Sequence, residues 1–243
     1  MNFLSPACLF LRFTRGRVPL RRAVYVSSDE KGPTITIGAG VTVQALCDHL
    51  DARGFALRWA GNSGSQTLVG AAITGTHGYS RDDGLLAELI VGARVITGTG
   101  EILAIDDERE LRALRVSLGT LCTITSVTLS LIPSGSLVRY SLSTLDESDF
   151  LSRLCRDARS NEYFRDLHVR KGPHASEFLH ELELELKDVL CVRPHWGKEF
   201  ALGHDDLAAA YPAGSWAAFR AAKRRYDRDN VSENAYTQRV FGW

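Results

Sequence analysis

The run Thr67-Leu-Val-Gly-Ala-Ala-Ile-Thr-Gly-Thr-His-Gly78 restricts this chain more than any other part of it. Glycine and alanine strip side-chain bulk from a short apolar stretch, Leu68 to Ile73, and the threonines around it set small hydroxyls beside bare backbone. Such a segment reads as a loop and a short helix that let another backbone or a ligand come close. A run of this kind needs a packed core to lie on, and 44% hydrophobic against 24% charged residues in a chain of 243 provides for one.

The text around the run alternates strands and helices. Thr34-Ile-Thr-Ile-Gly-Ala-Gly40 is a β-branched alternation ending in two glycines. Thr42 then opens a helix over Val43 to Leu50, which Asp51 to Gly54 close, Gly54 being suited to a left-handed cap. Leu89 to Thr97 and Glu101 to Ile105 predict a hairpin about Gly98-Thr-Gly100, and Glu108 to Leu114 predicts a short helix. Cys122 to Ile132 alternates like a long half-buried strand, stopped by Pro133 and Gly135. Beyond it the pattern predicts helices over 146–160, 178–190 and 216–226 and a polar tail over 227–238, with too little strand text for a sizeable sheet. The fold class is α+β, in three parts: a basic segment over 1–32, a sheet-and-helix domain over 33–135, and a shorter α+β domain over 136–243.

Lysine plus arginine equals aspartate plus glutamate at 29 each, so no overall field attracts a polyanion and nucleic acid is not an expected partner. Cys8, Cys47, Cys122, Cys155 and Cys191 are scattered without a CxxC pair, which points to reduced thiols and to no metal site. No apolar run approaches the roughly 20 residues of a spanning helix, which leaves peripheral membrane contact open. Five arginines, Arg12, Arg15, Arg17, Arg21 and Arg22, precede the first acidic residue, Asp29. That fits an organelle-targeting segment and equally a basic surface strand or a shortened start, so the expected location is cytoplasmic or peripheral at an organelle membrane.

Two stretches carry candidate chemistry. In the run ending at Gly78, bare amides and short hydroxyls offer hydrogen bonds without charge, as a pyrophosphate or the edge of a flavin ring requires. Taken as composition alone, such a segment is more often tight packing than a cofactor cradle. In Arg193-Pro-His-Trp-Gly-Lys198, Pro194 stiffens the entry, Trp196 adds a flat apolar wall, and Gly197 lets the backbone bend so that Lys198 faces a ligand. A lysine beside an aromatic can clamp an anionic flavin or an alkoxide. The other reading is a solvated loop bearing His195 and Lys198.

Taken in order, Gly38-Ala-Gly40, Thr74-Gly-Thr-His-Gly78, Val116-Ser-Leu-Gly-Thr-Leu-Cys-Thr-Ile-Thr125, Asn161-Glu-Tyr-Phe-Arg165, Arg193-Pro-His-Trp-Gly-Lys198 and Asn234-Ala-Tyr-Thr-Gln-Arg-Val-Phe-Gly242 resemble the aldonolactone oxidases. These are the D-arabinono- and L-gulono-1,4-lactone oxidases with their alditol oxidase relatives. The resemblance covers about 22–172 and about 177 onward. It implies a vanillyl-alcohol-oxidase-type fold, here as a partial FAD-binding (PCMH-type) domain followed by a shortened substrate or cap domain. It also implies an enzyme in which a sugar 1,4-lactone or an alditol yields a hydride to FAD, and oxygen takes the electrons to give hydrogen peroxide.

By the same resemblance, Thr67, Gly70, Ala71, Thr74, Gly75, Thr76, His77 and Gly78 line the flavin and its pyrophosphate, and Ile124 lies near the adenine. Lys198 is the active-site lysine, and His195 shapes its loop. The two segments are then expected on opposite sides of one isoalloxazine. Family members carry, ahead of the matched segment, a glycine-rich turn ending in Gly-His-Ser; residues 1 to 33 hold none, so the expected FAD is non-covalent. Between about Lys171 and Ser176 the family has most of its substrate-domain sheet, which is missing here; His168, Arg170 and His174 stand nearby without an assigned role. The alternative is a non-catalytic, shortened remnant acting at most as a binding module, with apolar surface left uncovered. A nucleotide-binding module on Gly38 and Gly40 lacks the third glycine and the acidic ribose partner.

Overall fold

The computed structural model describes residues 24–25, 32–78, 84–135, 174–190 and 193–243. The helix expected over 146–160 lies outside them, as do His168 and Arg170.

An antiparallel sheet organises the first half in the order β1 (Val24–Tyr25), β2 (Thr34–Gly38), β6 (Thr123–Ser130), β4 (Ile90–Ile96) and β5 (Ile102–Ile105). The alternation in the text decides which face is buried. Ile35 and Ile37 of β2 and Val127 and Leu129 of β6 point into the core, while Thr36 and Thr128 bond hydroxyl to hydroxyl at 2.8 Å across the same strand pair. The predicted hairpin joins β4 to β5. The long strand read over Cys122 to Ile132 divides: β6 ends at Ser130, and β7 (Ile132–Pro133) leaves to pair with β3 (Phe55–Ala56) in a separate small sheet.

The core side of the sheet is covered by short helices. α1 (Val43–Asp51) starts where Thr42 accepts the Ala45 amide at 3.3 Å, and buries Val43, Leu46 and Leu50 along one stripe. Gly54 takes the left-handed backbone, φ +74°, three residues past Asp51. α2 (Leu68–Ile73) is capped by Thr67, whose hydroxyl accepts the Gly70 amide at 3.2 Å. Its Leu68, Val69, Ala71 and Ala72 are buried, so the small residues of the run let this helix settle into the core. α3 (Glu108–Arg115) begins at Asp107 and buries Leu111 and Leu114.

Four helices follow: α4 (Ala175–Leu190), α5 (His204–Ala210), α6 (Ala213–Tyr226) and α7 (Ala235–Phe241). α6 includes the predicted cationic helix, whereas α7 occupies what the text presents as a polar tail. A second apolar cluster of Phe200, Leu202, Leu207, Val240 and Phe241 joins α5, α6 and α7, and Phe219 of α6 touches both clusters. Among the described residues no helix is long and apolar enough to cross a membrane.

The end of α6 is bolted to the sheet half by buried polar groups. Lys223 Nζ donates to Asp227 Oδ2 at 2.6 Å and to the Thr120 carbonyl at 3.2 Å. Asp227 also accepts the Val231 amide at 2.8 Å, the Ser232 amide at 3.0 Å, and the Ser232 hydroxyl. Gly98, at the β4–β5 turn, donates its amide to the Tyr226 carbonyl at 2.9 Å. A Cβ on Gly98 would stand 2.4 Å from Asp227 Oδ1, so glycine is what admits the carboxylate. The Tyr226 hydroxyl reaches Glu110 of α3 at 2.8 Å.

Candidate active site

A cleft of about 1410 Å³ opens between the end of α2, α3, α4, α6 and the turn His195–Lys198. α2 stops because Thr74 turns its hydroxyl back to the Gly70 and Ala71 carbonyls, at 3.1 and 3.0 Å, and Gly75 follows with φ +81°. Gly75 therefore presents bare backbone, with Val116 and Trp196 flanking the space its side chain would fill at 3.8 and 3.7 Å. Leu118 pins the neighbouring loop to α2 through its amide and the Ile73 carbonyl at 3.1 Å, and beside it the buried Ser117 hydroxyl has no hydrogen-bond partner.

The second segment closes on itself. The Lys198 amide donates to the His195 carbonyl at 2.8 Å, and the Gly197 amide donates to His195 Nδ1 at 3.0 Å. The Lys198 side chain is exposed on this turn. The missing side chain of Gly197 is what lets the turn meet α2: a Cβ there would lie 3.2 Å from Thr74 Oγ1 and 3.3 Å from Thr74 Cβ. The rings of His77 and His195 come within 5.6 Å, tilted by 55°.

Of the residues singled out in the sequence, Thr74, Gly75, His77, His195 and Lys198 line this cleft. The others lie elsewhere. Thr67, Gly70 and Ala71 build α2, Thr76 packs its methyl toward Gly61, and the Gly78 carbonyl accepts His77 Nδ1 at 2.7 Å. Ile124 sits in β6 opposite Val95, packed against the core and away from the cleft lining. The two segments also do not face each other across a gap. They abut, with Gly197 on Thr74 and Trp196 beside Gly75, so no flat ring fits between them and they form one continuous wall. The other walls come from residues that the text does not mark: Arg109, Arg112 and Ala113 of α3, Leu179, Leu182 and Leu186 of α4, and Tyr211, over which the Arg193 guanidinium lies at 4.5 Å. Helical periodicity identifies the α4 stripe as apolar without saying that it lines a cleft.

An FAD isoalloxazine fits part of this site. Bare backbone at Gly75, the indole of Trp196 and the Lys198 ammonium suit the flat face and polar edge of such a ring. The run does not suit a pyrophosphate equally well. The Gly70, Ala71, Gly75 and Thr76 amides bond to Thr67 Oγ1, Thr67 O, Ala72 O and Ala71 O, so they hold the helix and its turn. Among the described residues, no group of three or more His, Cys, Asp or Glu side chains is placed to hold a metal ion.

The packing inside the run gives a direct check. A Cβ on Gly61 would lie 2.4 Å from Thr76 Cγ2, and a β-branched side chain has little room to give. Gly61→Ala is expected to destabilise the protein by about 1–3 kcal/mol. Adding Thr76→Ser, which removes the obstructing methyl, should recover most of that loss in a denaturant-melt double-mutant cycle.

Two family models match this chain, in separate segments. A model of the FAD binding domain matches residues 18–106, and a D-arabinono-1,4-lactone oxidase model matches residues 159–240. Taken together, the two matches show that the chain is similar to the aldonolactone oxidases in two separate segments. It is 35% identical over 120 residues to D-arabinono-1,4-lactone oxidase of Eremothecium gossypii, covering 47% of this chain and 23% of that protein. It is 32% identical over 152 residues to L-gulonolactone oxidase of Bos taurus, covering 61% of this chain and 34% of that protein. The chain thus spans about a quarter to a third of the length of these relatives. Among solved structures, cholesterol oxidase from Brevibacterium sterolicum matches 46% of this chain and 24% of its own at 19% identity, with a TM-score of 0.41. In this chain the cleft joins the two matched segments: Thr74, Gly75 and His77 come from the first, and His195 and Lys198 from the second.

Proposed function

We propose that the cleft receives the isoalloxazine of FAD and that the chain serves the oxidation of a CH–OH group in a sugar 1,4-lactone or an alditol, with oxygen as acceptor and hydrogen peroxide as product. The observation that carries this reading is the contact of Gly197 with Thr74, which brings an FAD-binding segment and a lactone-oxidase segment into one wall.

FAD, when bound, supplies the acceptor for the hydride. The side chains handle position and charge. Lys198 sets a positive charge at the wall, where an alkoxide or an anionic flavin edge gains electrostatic stabilisation. His195 Nδ1 accepts the Gly197 amide, so in the neutral ring its proton sits on Nε2; this ties the ring to the shape of the turn. His77 Nδ1 donates to the Gly78 carbonyl, which fixes the orientation of its ring at the wall. The apolar stripe of α4 and Trp196 limit water around the reacting carbon. Pyrophosphate would take its amides from outside α2.

A second reading, a flavin-free binding module, is favoured by the internal use of those α2 amides. One experiment separates the two. Purified chain incubated with FAD and desalted should retain a flavin spectrum with bands shifted from free FAD, and should form peroxide with a D-arabinono- or L-gulono-1,4-lactone. A colourless protein with no peroxide formation and no dye reduction would leave only the binding module.

A further inference from the structure

We infer that Phe241 is a positioning residue for the turn that carries Lys198, an inference that rests on the reading of Lys198 as a site residue. The turn is closed by its own hydrogen bonds, Lys198 amide to His195 carbonyl and Gly197 amide to His195 Nδ1, so it moves as a unit. What orients that unit is Trp196. Its indole stacks on Phe241 with centroids 6.0 Å apart and planes 22° apart, and meets Phe200 edge-on at 5.8 Å. The Tyr236 hydroxyl makes a long hydrogen bond, 3.5 Å, to the Trp196 carbonyl.

Phe241 is the fixed member of this set. It is buried, and it stacks on Phe219 at 5.1 Å and on Trp243 at 4.7 Å. The chain just past it cannot slide: Gly242 takes φ +66°, and a Cβ there would stand 2.6 Å from the His204 ring. α7 thus holds the Phe241 ring still, that ring shares the hold on Trp196 with Tyr211, which stacks on the indole at 6.3 Å, and Trp196 holds Gly197 against Thr74. Aromatic pairs of this kind contribute roughly 0.5–1.5 kcal/mol beyond area burial, enough to select one orientation of an exposed turn. Without the flat ring, Trp196 gains freedom beside Gly75, and the turn that carries Lys198 loses its fixed orientation at the cleft wall.

The test compares Phe241→Leu and Phe241→Tyr with the wild-type chain. In ¹⁵N spectra the Trp196 indole signal, assigned through Trp196→Phe, should shift and broaden in Phe241→Leu. The ¹³C-dimethylated Lys198 signal should sharpen as that side chain gains freedom. Phe241→Tyr should leave both near wild type. With FAD and lactone, kcat of Phe241→Leu should fall about 10–100-fold while KM changes less than about threefold, since misplacement by about 1 Å has effects of that order. Phe241→Met, close in volume, replaces Phe241→Leu should the latter not fold. A folded leucine or methionine variant with unchanged Trp196 and Lys198 signals overturns the inference. Should the wild-type chain form no peroxide, the oxidase reading falls alone, and the two NMR signals still decide the positioning role.

Discussion

Replacing Asp227 by alanine is expected to destabilise the protein by about 3–5 kcal/mol and to lower Tm by on the order of 10 °C. Both members of the Lys223–Asp227 pair are buried, with side chains 5% and 1% exposed, so removing the carboxylate leaves an ammonium in the interior with no counter-charge there, met by the Thr120 carbonyl and the face of Trp243. It also strands the Val231 and Ser232 amides. The pair joins α6 to the β4–β5 turn and to Thr120, so the loss falls on the contact between the two halves of the cleft. Lys223→Met combined with Asp227→Ala should be milder than Asp227→Ala alone, because no charge is then left buried. Asp229→Ala, at an exposed pair with Arg228, should change stability by less than about 0.5 kcal/mol.

The same pair sets an acid limit. Burial pushes the Asp227 carboxyl up, but the Lys223 ammonium, the Ser232 hydroxyl and amide, and the Val231 amide together outweigh it and hold the group below its ordinary value. A carboxylate depressed on folding contributes stability that is full above its unfolded pKa, near about 4, and is lost as pH falls through the folded value. Wild-type Tm should therefore be insensitive to this group from neutral pH down to about pH 4 and fall below it. The alanine variant should lack that part of the decline.

Replacing Lys198 by alanine is expected to lower lactone-dependent peroxide formation by about 10²–10³-fold while Tm stays within about 2 °C of wild type. The first half follows from removing the cation at the cleft wall. The second follows from exposure: Lys198 lies on a turn held by backbone and by Trp196, so no buried partner is stranded. Lys198→Arg should recover only part of the activity, since a planar fork does not place its charge where an ammonium does. A variant that loses activity and stability together would point to a structural role.

How far the sequence anticipates this molecule depends on whether each element announces itself locally. The strands do, because Thr34 to Gly38 and Cys122 to Ser130 alternate on a half-buried sheet, and α1, α2 and α3 do, because Thr42, Thr67 and Asp107 are helix caps. α5 does not. It starts at Gly203 without a side-chain cap and buries only Leu207, which leaves no periodicity to read. α7 was legible and is hidden by its polar flank: Asn234 caps it by accepting the Tyr236 and Thr237 amides, and Gly242 ends it with a left-handed residue.

The site divides along the same line. Thr74, Gly75, His77, His195 and Lys198 stand in motifs whose order carries information, and they meet in the fold. Gly70, Ala71 and Thr76 share the first motif for a packing reason, which composition does not separate from a binding one. The direct contact of Gly197 with Thr74, which joins the two segments into one wall, is a matter of distance and has no local signal. The same holds for Lys223 and Asp227, which read as an ordinary i,i+4 surface pair until burial sets them apart.

The central claim is that the run ending at Gly78 and the Lys198 turn together receive one flavin ring. Titration of isotope-labelled protein with FAD, followed by backbone amide shifts, tests it most directly. Saturable shifts are expected at Thr74–Gly78 and at His195–Lys198 with a single common dissociation constant, together with their joint loss in Gly75→Val. Shifts confined to one segment, or centred on residues away from the cleft, would contradict it.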